Sequence, residues 1–200
     1  MAKLRRHEER LPYMNDKKAA LRIEAIIDAK KPRSLLFYMP MPIEVDLRNL
    51  MQKMRKRYKI FVPFIVKESF KMVNYRLPLR RNSYKIYEPP QSRLKIKDVD
   101  MIIVPVVGVD GACKRVGFGK GMYDRYFQKL KKRPVVVFVQ RVKCATHEIV
   151  TDDYDIMADF YVTPKETLYR GRNYDNRNRT RSGRRCRRCR RYRADHKQST

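Results

Sequence analysis

Histidine, cysteine, glycine and acidic side chains are all scarce in this chain, and each scarcity removes a class of function. The three histidines, His7, His147 and His196, lie far apart in a basic N-terminal segment, a loop and the C-terminal tail. No Ser-His-Asp or Cys-His arrangement is evident, which argues against triad-type covalent catalysis. The four cysteines, Cys113, Cys144, Cys186 and Cys189, form no disulfide framework in 200 residues, and a reducing cytoplasm is the expected setting. No apolar run approaches the length of a membrane span, and the opening "MAKLRRHEERLPYMNDKK" lacks the apolar core of a signal peptide. A soluble protein with no membrane partner is therefore expected.

Acidic residues are outnumbered. Twenty-one Asp and Glu stand against 49 Lys and Arg, a formal charge of +28, which attracts phosphate-bearing ligands or polynucleotides. The excess is uneven. Residues 170–200 hold thirteen Lys and Arg and two Asp, a net of +11. The remainder is basic as well, and its 42% hydrophobic content for the whole chain is that of a globular protein.

Along the chain, Asp16 is placed to cap a helix through "KKAALRIEAIIDAKK", with Ala20, Ile23, Ile26 and Ile27 at helical spacing. "SLLFYM" reads as a buried strand and "IEVDLRNLMQKMRKR" as a second amphipathic helix. "YKIFVPF" and "SFKMVNYRL" suggest two further strands, and "DMIIVPVVGV" is an apolar β-branched strand leading to a glycine loop. A helix over "GMYDRYFQKLKKR" follows, then the strands "PVVVFVQ" and "ADFYVT". Continuous apolar strands alternating with amphipathic helices indicate a mostly parallel sheet covered on both faces, an α/β fold. From Tyr169 onward aliphatic residues nearly vanish, so the chain divides into a folded domain over 1–168 and a disordered Arg-rich tail over 169–200.

Three of the seven glycines fall within five residues of "RVGFGKGMYDR". Glycines at 117, 119 and 121 permit close backbone approach, the following helix offers free N–H groups, and Arg115 and Lys120 supply positive charge. Asp124 has the chemistry to hold a metal. The spacing is neither that of a P-loop, since Gly121 follows Lys120 where Ser or Thr is required, nor the GxGxxG of dinucleotide folds. On residue chemistry alone the segment is either a phosphate cradle or a tight structural loop.

The wider stretch "VPVVGVDGACKRVGFGKGMYDRYF" closely resembles the signature of the 5-formyltetrahydrofolate cyclo-ligases, or methenyltetrahydrofolate synthetases. "LLFYMPMPIEVD", "IYEPP" and "DIMADFYVTPK" resemble further family segments in the same order. The resemblance implies a three-layer α/β/α fold with a mostly parallel central sheet (NagB/RpiA/CoA transferase-like) and an ATP-dependent cyclo-ligase of one-carbon metabolism. By that resemblance, Arg115, Gly117, Phe118, Gly119, Lys120, Gly121, Met122 and Tyr123 would contact ATP, with Arg115, Lys120 and Tyr123 catalytic. Arg6 and Arg10 would stand in for a Lys-x-x-x-Arg pair that also contacts ATP. Asp124 and Asp159 would bind Mg²⁺, and Met39, Glu44, Val109 and Met122 would contact 5-formyltetrahydrofolate.

Read without the resemblance, Glu44 is an acid at a helix N-terminus, and Asp159 an acid at a strand end. Met72 is either a core residue or a further pocket wall. The chain departs from the family pattern at Val106, Val109 and Met122, where the family carries Gly, Phe and Tyr, so the stacking surface for a pterin is altered.

The tail leaves alternatives open. Arginines interleaved with Tyr174 and Tyr192 suit non-specific nucleic-acid binding, and equally a solvated extension. Cys186-x-x-Cys189 with His196 offers three zinc ligands where a structural site needs four. The second function class is accordingly a nucleic-acid-binding protein on a catalytically impaired cyclo-ligase-like body. A monomer is expected in either case.

Overall fold

The computed structural model describes residues 12–82, 86–90, 96, 98–117, 119, 121–146, 148–151, 155–170 and 189–191. Arg6, Arg10, Phe118, Lys120, His7, His147, His196, Cys186, Tyr174 and Tyr192 lie outside these residues.

In chain order the elements are α1 (Pro12–Lys30), β1 (Ser34–Leu36), α2 (Arg48–Met54), β2 (Lys59–Val66), β3 (Ser69–Asn74), β4 (Arg80–Arg81), β5 (Tyr87–Glu88), β6 (Met101–Pro105), β7 (Gly108–Val109), β8 (Arg115–Val116), α3 (Met122–Phe127), β9 (Val135–Val139), β10 (Phe160–Val162), β11 (Thr167–Arg170) and β12 (Cys189–Arg191). Eight strands form one sheet in the order β12-β11-β10-β9-β6-β1-β2-β3. The five from β10 to β2 are parallel, and antiparallel strands extend both edges. Two-stranded ribbons, β4 with β5 and β7 with β8, lie outside it.

The apolar strands are buried on both faces, as their unbroken runs require. Residues alternate between two cores. Leu35, Ile60, Met101, Ile103, Val137 and Val139 pack with Ile23, Ile26 and Ile27 of α1 and Leu50, Met51 and Met54 of α2. Leu36, Phe61, Ile102, Val104, Val136 and Phe138 pack on the other face with Tyr126 of α3 and with Val109 of the β7–β8 ribbon. This is the three-layer α/β/α architecture expected. Among the described residues no helix is long and apolar enough to cross a membrane.

Four local readings are corrected. Asp16 does not cap α1, which starts at Pro12; it lies inside the helix, buried against Arg141. Proline suits a first helical turn because its missing N–H would have no partner there. The helix expected from Ile43 begins only at Arg48, whose N–H is accepted by the Asp46 carboxylate at 3.0 Å. Part of the tail is also structured: β12 pairs with β11 through Leu168↔Arg191, Tyr169↔Arg190 and Arg170↔Cys189. An edge strand is recruited through backbone groups, which hydropathy does not report. Finally, Cys113 is disulfide-bonded, because pairing depends on proximity in the fold rather than on cysteine number.

Candidate active site

A cavity of about 710 Å³ opens beyond the C-terminal ends of β1 and β6, where ligands of open α/β sheets commonly bind. The chain leaves the ladder after Phe37, whose N–H still donates to the Phe61 carbonyl at 2.9 Å. Tyr38 and Met39 then form part of the cavity wall, followed by Met41, Ile43 and Glu44. Pro63, Ile65 and Phe70 of the β2–β3 hairpin form a second wall, with Glu88 of β5 beside them. The glycine loop closes a third through Arg115, Gly121, Met122 and Tyr123. Six residues proposed from the sequence thus meet in one cavity: Met39, Glu44, Arg115, Gly121, Met122 and Tyr123.

Glu44 is anchored from several sides. Its Oε2 accepts the Met41 N–H at 2.8 Å, a contact within the loop before α2. Its carbonyl accepts from Arg141 Nη2, and Arg141 Nη1 donates to the Pro42 carbonyl at 3.0 Å. Arg141 also makes a buried bidentate pair with Asp16, both contacts at 2.9 Å, tying α1 to the Glu44 loop. Tyr38 donates its hydroxyl to the Val45 carbonyl at 2.6 Å. Burial pushes the Glu44 carboxyl up to about 7, against the lowering effects of the Met41 N–H and Arg141. A carboxylate in such a place suits amide and amine donors.

The glycine loop is held differently. Gly121, with φ of 56°, is the left-handed residue before α3, where a side chain is disfavoured. At Gly117 a Cβ would stand 1.9 Å from Arg115 Nη1, so the missing side chain makes room for the guanidinium. Gly119 is left-handed in open space, and neither Gly117 nor Gly119 lines the cavity. Arg115 pairs with Asp124 and lies 5.9 Å from the Tyr123 ring centroid. Tyr123 packs edge-on against Phe70 at 5.1 Å, and burial drives its phenol well above the usual range. Arg115 Nε and Asp124 Oδ1 are buried with no hydrogen-bond partner among the described residues.

Three further residues weighed for the site lie elsewhere. Val109 sits in β7 with its backbone bonded to Cys144 and Thr146, buried in the second core rather than in the cavity wall. Met72 likewise belongs to that core. Asp159 lies at the start of β10, at the N-terminal edge of the parallel strands. There Arg133 donates to it at 2.9 and 3.0 Å and the Val136 N–H at 2.8 Å. It shares no hydrogen-bond partner with Asp124, and no cluster of three metal-ligating side chains occurs among the described residues.

The sequence model of the 5-formyltetrahydrofolate cyclo-ligase family matches residues 1–164. The chain belongs to that family. It is therefore a ligase by kinship, and the sequence resemblance is upheld. The chain is 31% identical over 160 residues to a probable 5-formyltetrahydrofolate cyclo-ligase of Schizosaccharomyces pombe, covering 70% of this chain and 78% of the relative. A 5-formyltetrahydrofolate cyclo-ligase of Haemophilus influenzae is 23% identical over 141 residues, covering 66% and 75%. The solved 5,10-methenyltetrahydrofolate synthetase of Aquifex aeolicus superposes with a TM-score of 0.67 at 27% identity, covering 82% of this chain and 86% of that one. That of Mycoplasma pneumoniae, at 19% identity and TM-score 0.61, shares the fold, covering 80% and 93%.

The sequence passed over three cyclo-ligase residues that matter to this geometry. Tyr38 and Glu88 line the cavity, and "IYEPP" had marked the position of Glu88 without giving it a role. Arg141 carried no local signal, because its partners Asp16 and Pro42 lie 125 and 99 residues away.

Proposed function

We propose that this cyclo-ligase converts 5-formyltetrahydrofolate to 5,10-methenyltetrahydrofolate, using ATP and releasing ADP and phosphate. One observation carries the reading: Glu44 faces the same cavity as Arg115 and Tyr123 of the glycine loop. A pterin bearing amide and amine donors suits the first, and a triphosphate suits the second.

In the proposed reaction the N5 formyl oxygen attacks the γ-phosphorus and ADP leaves. The poor leaving oxygen becomes part of a phosphate ester. N10 then closes on the formyl carbon and phosphate departs. Such chemistry depends on alignment and on neutralising charge where it develops. Glu44 orients the pterin, Met39 and Met122 supply apolar walls, and Tyr123 packed on Phe70 keeps water from the reacting atoms. Arg115, with Lys120 from the same sequence motif, offsets phosphate charge.

Asp124 is the residue that fits Mg²⁺, since its Oδ1 is buried without a partner and such ions are commonly held by one or two carboxylates plus phosphates. Bound there, the ion would supply further neutralisation of the phosphates. Asp159, already engaged by Arg133 and Val136, has no such open oxygen in support of a metal role. A family match over residues 1–164 favours the enzyme over a nucleic-acid-binding protein on an impaired body.

Mixing the protein with Mg-ATP and 5-formyltetrahydrofolate tests the proposal. Near-ultraviolet absorbance of the methenyl product is expected only when all components are present. Folded protein that forms no product under these conditions overturns it.

A further inference from the structure

Glu88 is a cavity carboxylate to which nothing above gives a task. It is 7% exposed and sits in β5 opposite Arg80 of β4. Its Oε1 accepts the Ile65 N–H at 3.0 Å. Among the described residues Oε2 has no partner, yet it is not one of the sealed, unpaired buried atoms. Glu88 lines the cavity, and Oε2 is its carboxylate atom left without a protein partner there. Burying a carboxylate this deeply with half its acceptor capacity unused is costly unless a donor meets it.

Ring closure supplies such a donor. N10 carries one hydrogen in 5-formyltetrahydrofolate and none in the methenyl product. Once the formyl oxygen has taken the γ-phosphoryl group from the nucleoside triphosphate, the N10 lone pair attacks the formyl carbon. A C–N10 bond forms, the C=N5 π pair returns to N5, and N10 becomes positively charged. It must then lose its proton. The C–O bond breaks next, phosphate leaves with the bonding pair, and the nitrogen lone pairs restore the amidinium.

Resting on the reaction proposed above, we propose that Glu88 is a catalytic carboxylate whose Oε2 accepts the N10 hydrogen bond and takes the N10 proton during ring closure. The proton then passes to the departing phosphate or to water, and the carboxylate is regenerated.

The other cavity groups are poorly suited. Glu44 is bonded to Met41 and assigned to the pterin, whereas Glu68 is an exposed rim residue. The Tyr38 hydroxyl already donates to Val45, and Tyr123 is an uncharged phenol packed on Phe70. Lys67, Arg115 and Arg125 are cations with no acceptor to offer.

Glu88→Gln tests the assignment, because it keeps the volume and an acceptor for Ile65 but removes the base. The expected result is a fall in kcat of about 100-fold, in the range for positioned general bases. The KM for 5-formyltetrahydrofolate should stay close to wild type. Glu88→Asp, which retains a carboxylate, should recover part of kcat. Calorimetric binding of 5-formyltetrahydrofolate checks that each variant holds a formed cavity. A Gln variant with wild-type kcat overturns the assignment, as does a loss confined to KM. If the Gln variant does not fold, an Asp variant with no more than residual kcat overturns it. Wild-type protein that makes no product defeats the underlying reaction instead, so the two failures are distinguishable.

Discussion

The two polar walls of the cavity are built on opposite principles. Around Glu44 nearly every polar group has a partner within the protein: Met41 for the carboxylate, Arg141 for two carbonyls, Asp16 for Arg141 and Val45 for Tyr38. Around the glycine loop, Arg115 and Asp124 satisfy each other only partly, leaving Arg115 Nε and Asp124 Oδ1 buried and unpaired. The first wall is pre-organised before any ligand arrives. The second keeps buried charged atoms without a partner. Rigidity on one side and unsatisfied charge on the other suit a site that orients one substrate and draws charge-rich groups of another against it.

Arg115→Gln should break the contrast most severely. Removing the charge proposed to offset the phosphates is expected to lower kcat by about 100- to 1000-fold, the scale seen when one preorganised donor is lost. Steady-state kinetics below the variant's unfolding temperature would show it. A rise in folate KM with unchanged kcat would assign Arg115 to the wrong wall.

Next in size is Asp16→Asn, which leaves Arg141 without its buried counter-charge. Breaking such a pair costs about 3–5 kcal/mol. The melting temperature should fall and the KM for 5-formyltetrahydrofolate should rise, with ATP KM little changed. Equal changes in both KM values would mean that the walls are not independent.

Glu44→Gln separates binding from stability. The folded carboxyl titrates at about 7 and its ordinary value is 4.5, so the folded state holds this proton more tightly than the unfolded one. Its favourable contribution is present below pH 4.5 and is lost as pH rises to about 7. Glutamine mimics the protonated form at every pH. The ligand-free variant should therefore be more stable than wild type at pH 8, by up to about 3 kcal/mol, with the difference vanishing below pH 4.5. Folate binding should weaken at the same time. Denaturation at the two pH values checks the sign, and a variant less stable at pH 8 would refute it.

Gly121→Ala should have the smallest effect, about 1–2 kcal/mol for a left-handed non-glycine residue. Its Cβ would also stand 3.0 Å from Arg125 Nη1, whose guanidinium binds the Glu68 carbonyl of the β2–β3 hairpin. A modest rise in ATP KM is expected, and an unchanged melting temperature would mean that the loop relaxes freely.

How far the sequence could be read depended on whether its signals were local. Unbroken apolar runs such as "VVVFV" and "MIIVP" reported both faces of the sheet, and so announced the layers. The glycine loop was legible because left-handed and crowded backbone positions select glycine residue by residue. Arg141 was not legible, since its role exists only where β9, α1 and the Pro42–Glu44 loop converge. Motif position assigns Val109 to the pocket, yet the β7–β8 ribbon turns it into the core. β12 escaped notice because arginine-rich sequence conceals a backbone able to pair with an edge.

The central claim is that one cavity couples an ATP phosphoryl transfer to folate ring closure. Measuring ADP and methenyl product together, from the wild-type protein with Mg-ATP and 5-formyltetrahydrofolate, tests it most directly. The account predicts one ADP for each methenyl product and little ADP without the folate. Steady ADP release with no methenyl product, or methenyl product without ADP, would contradict it.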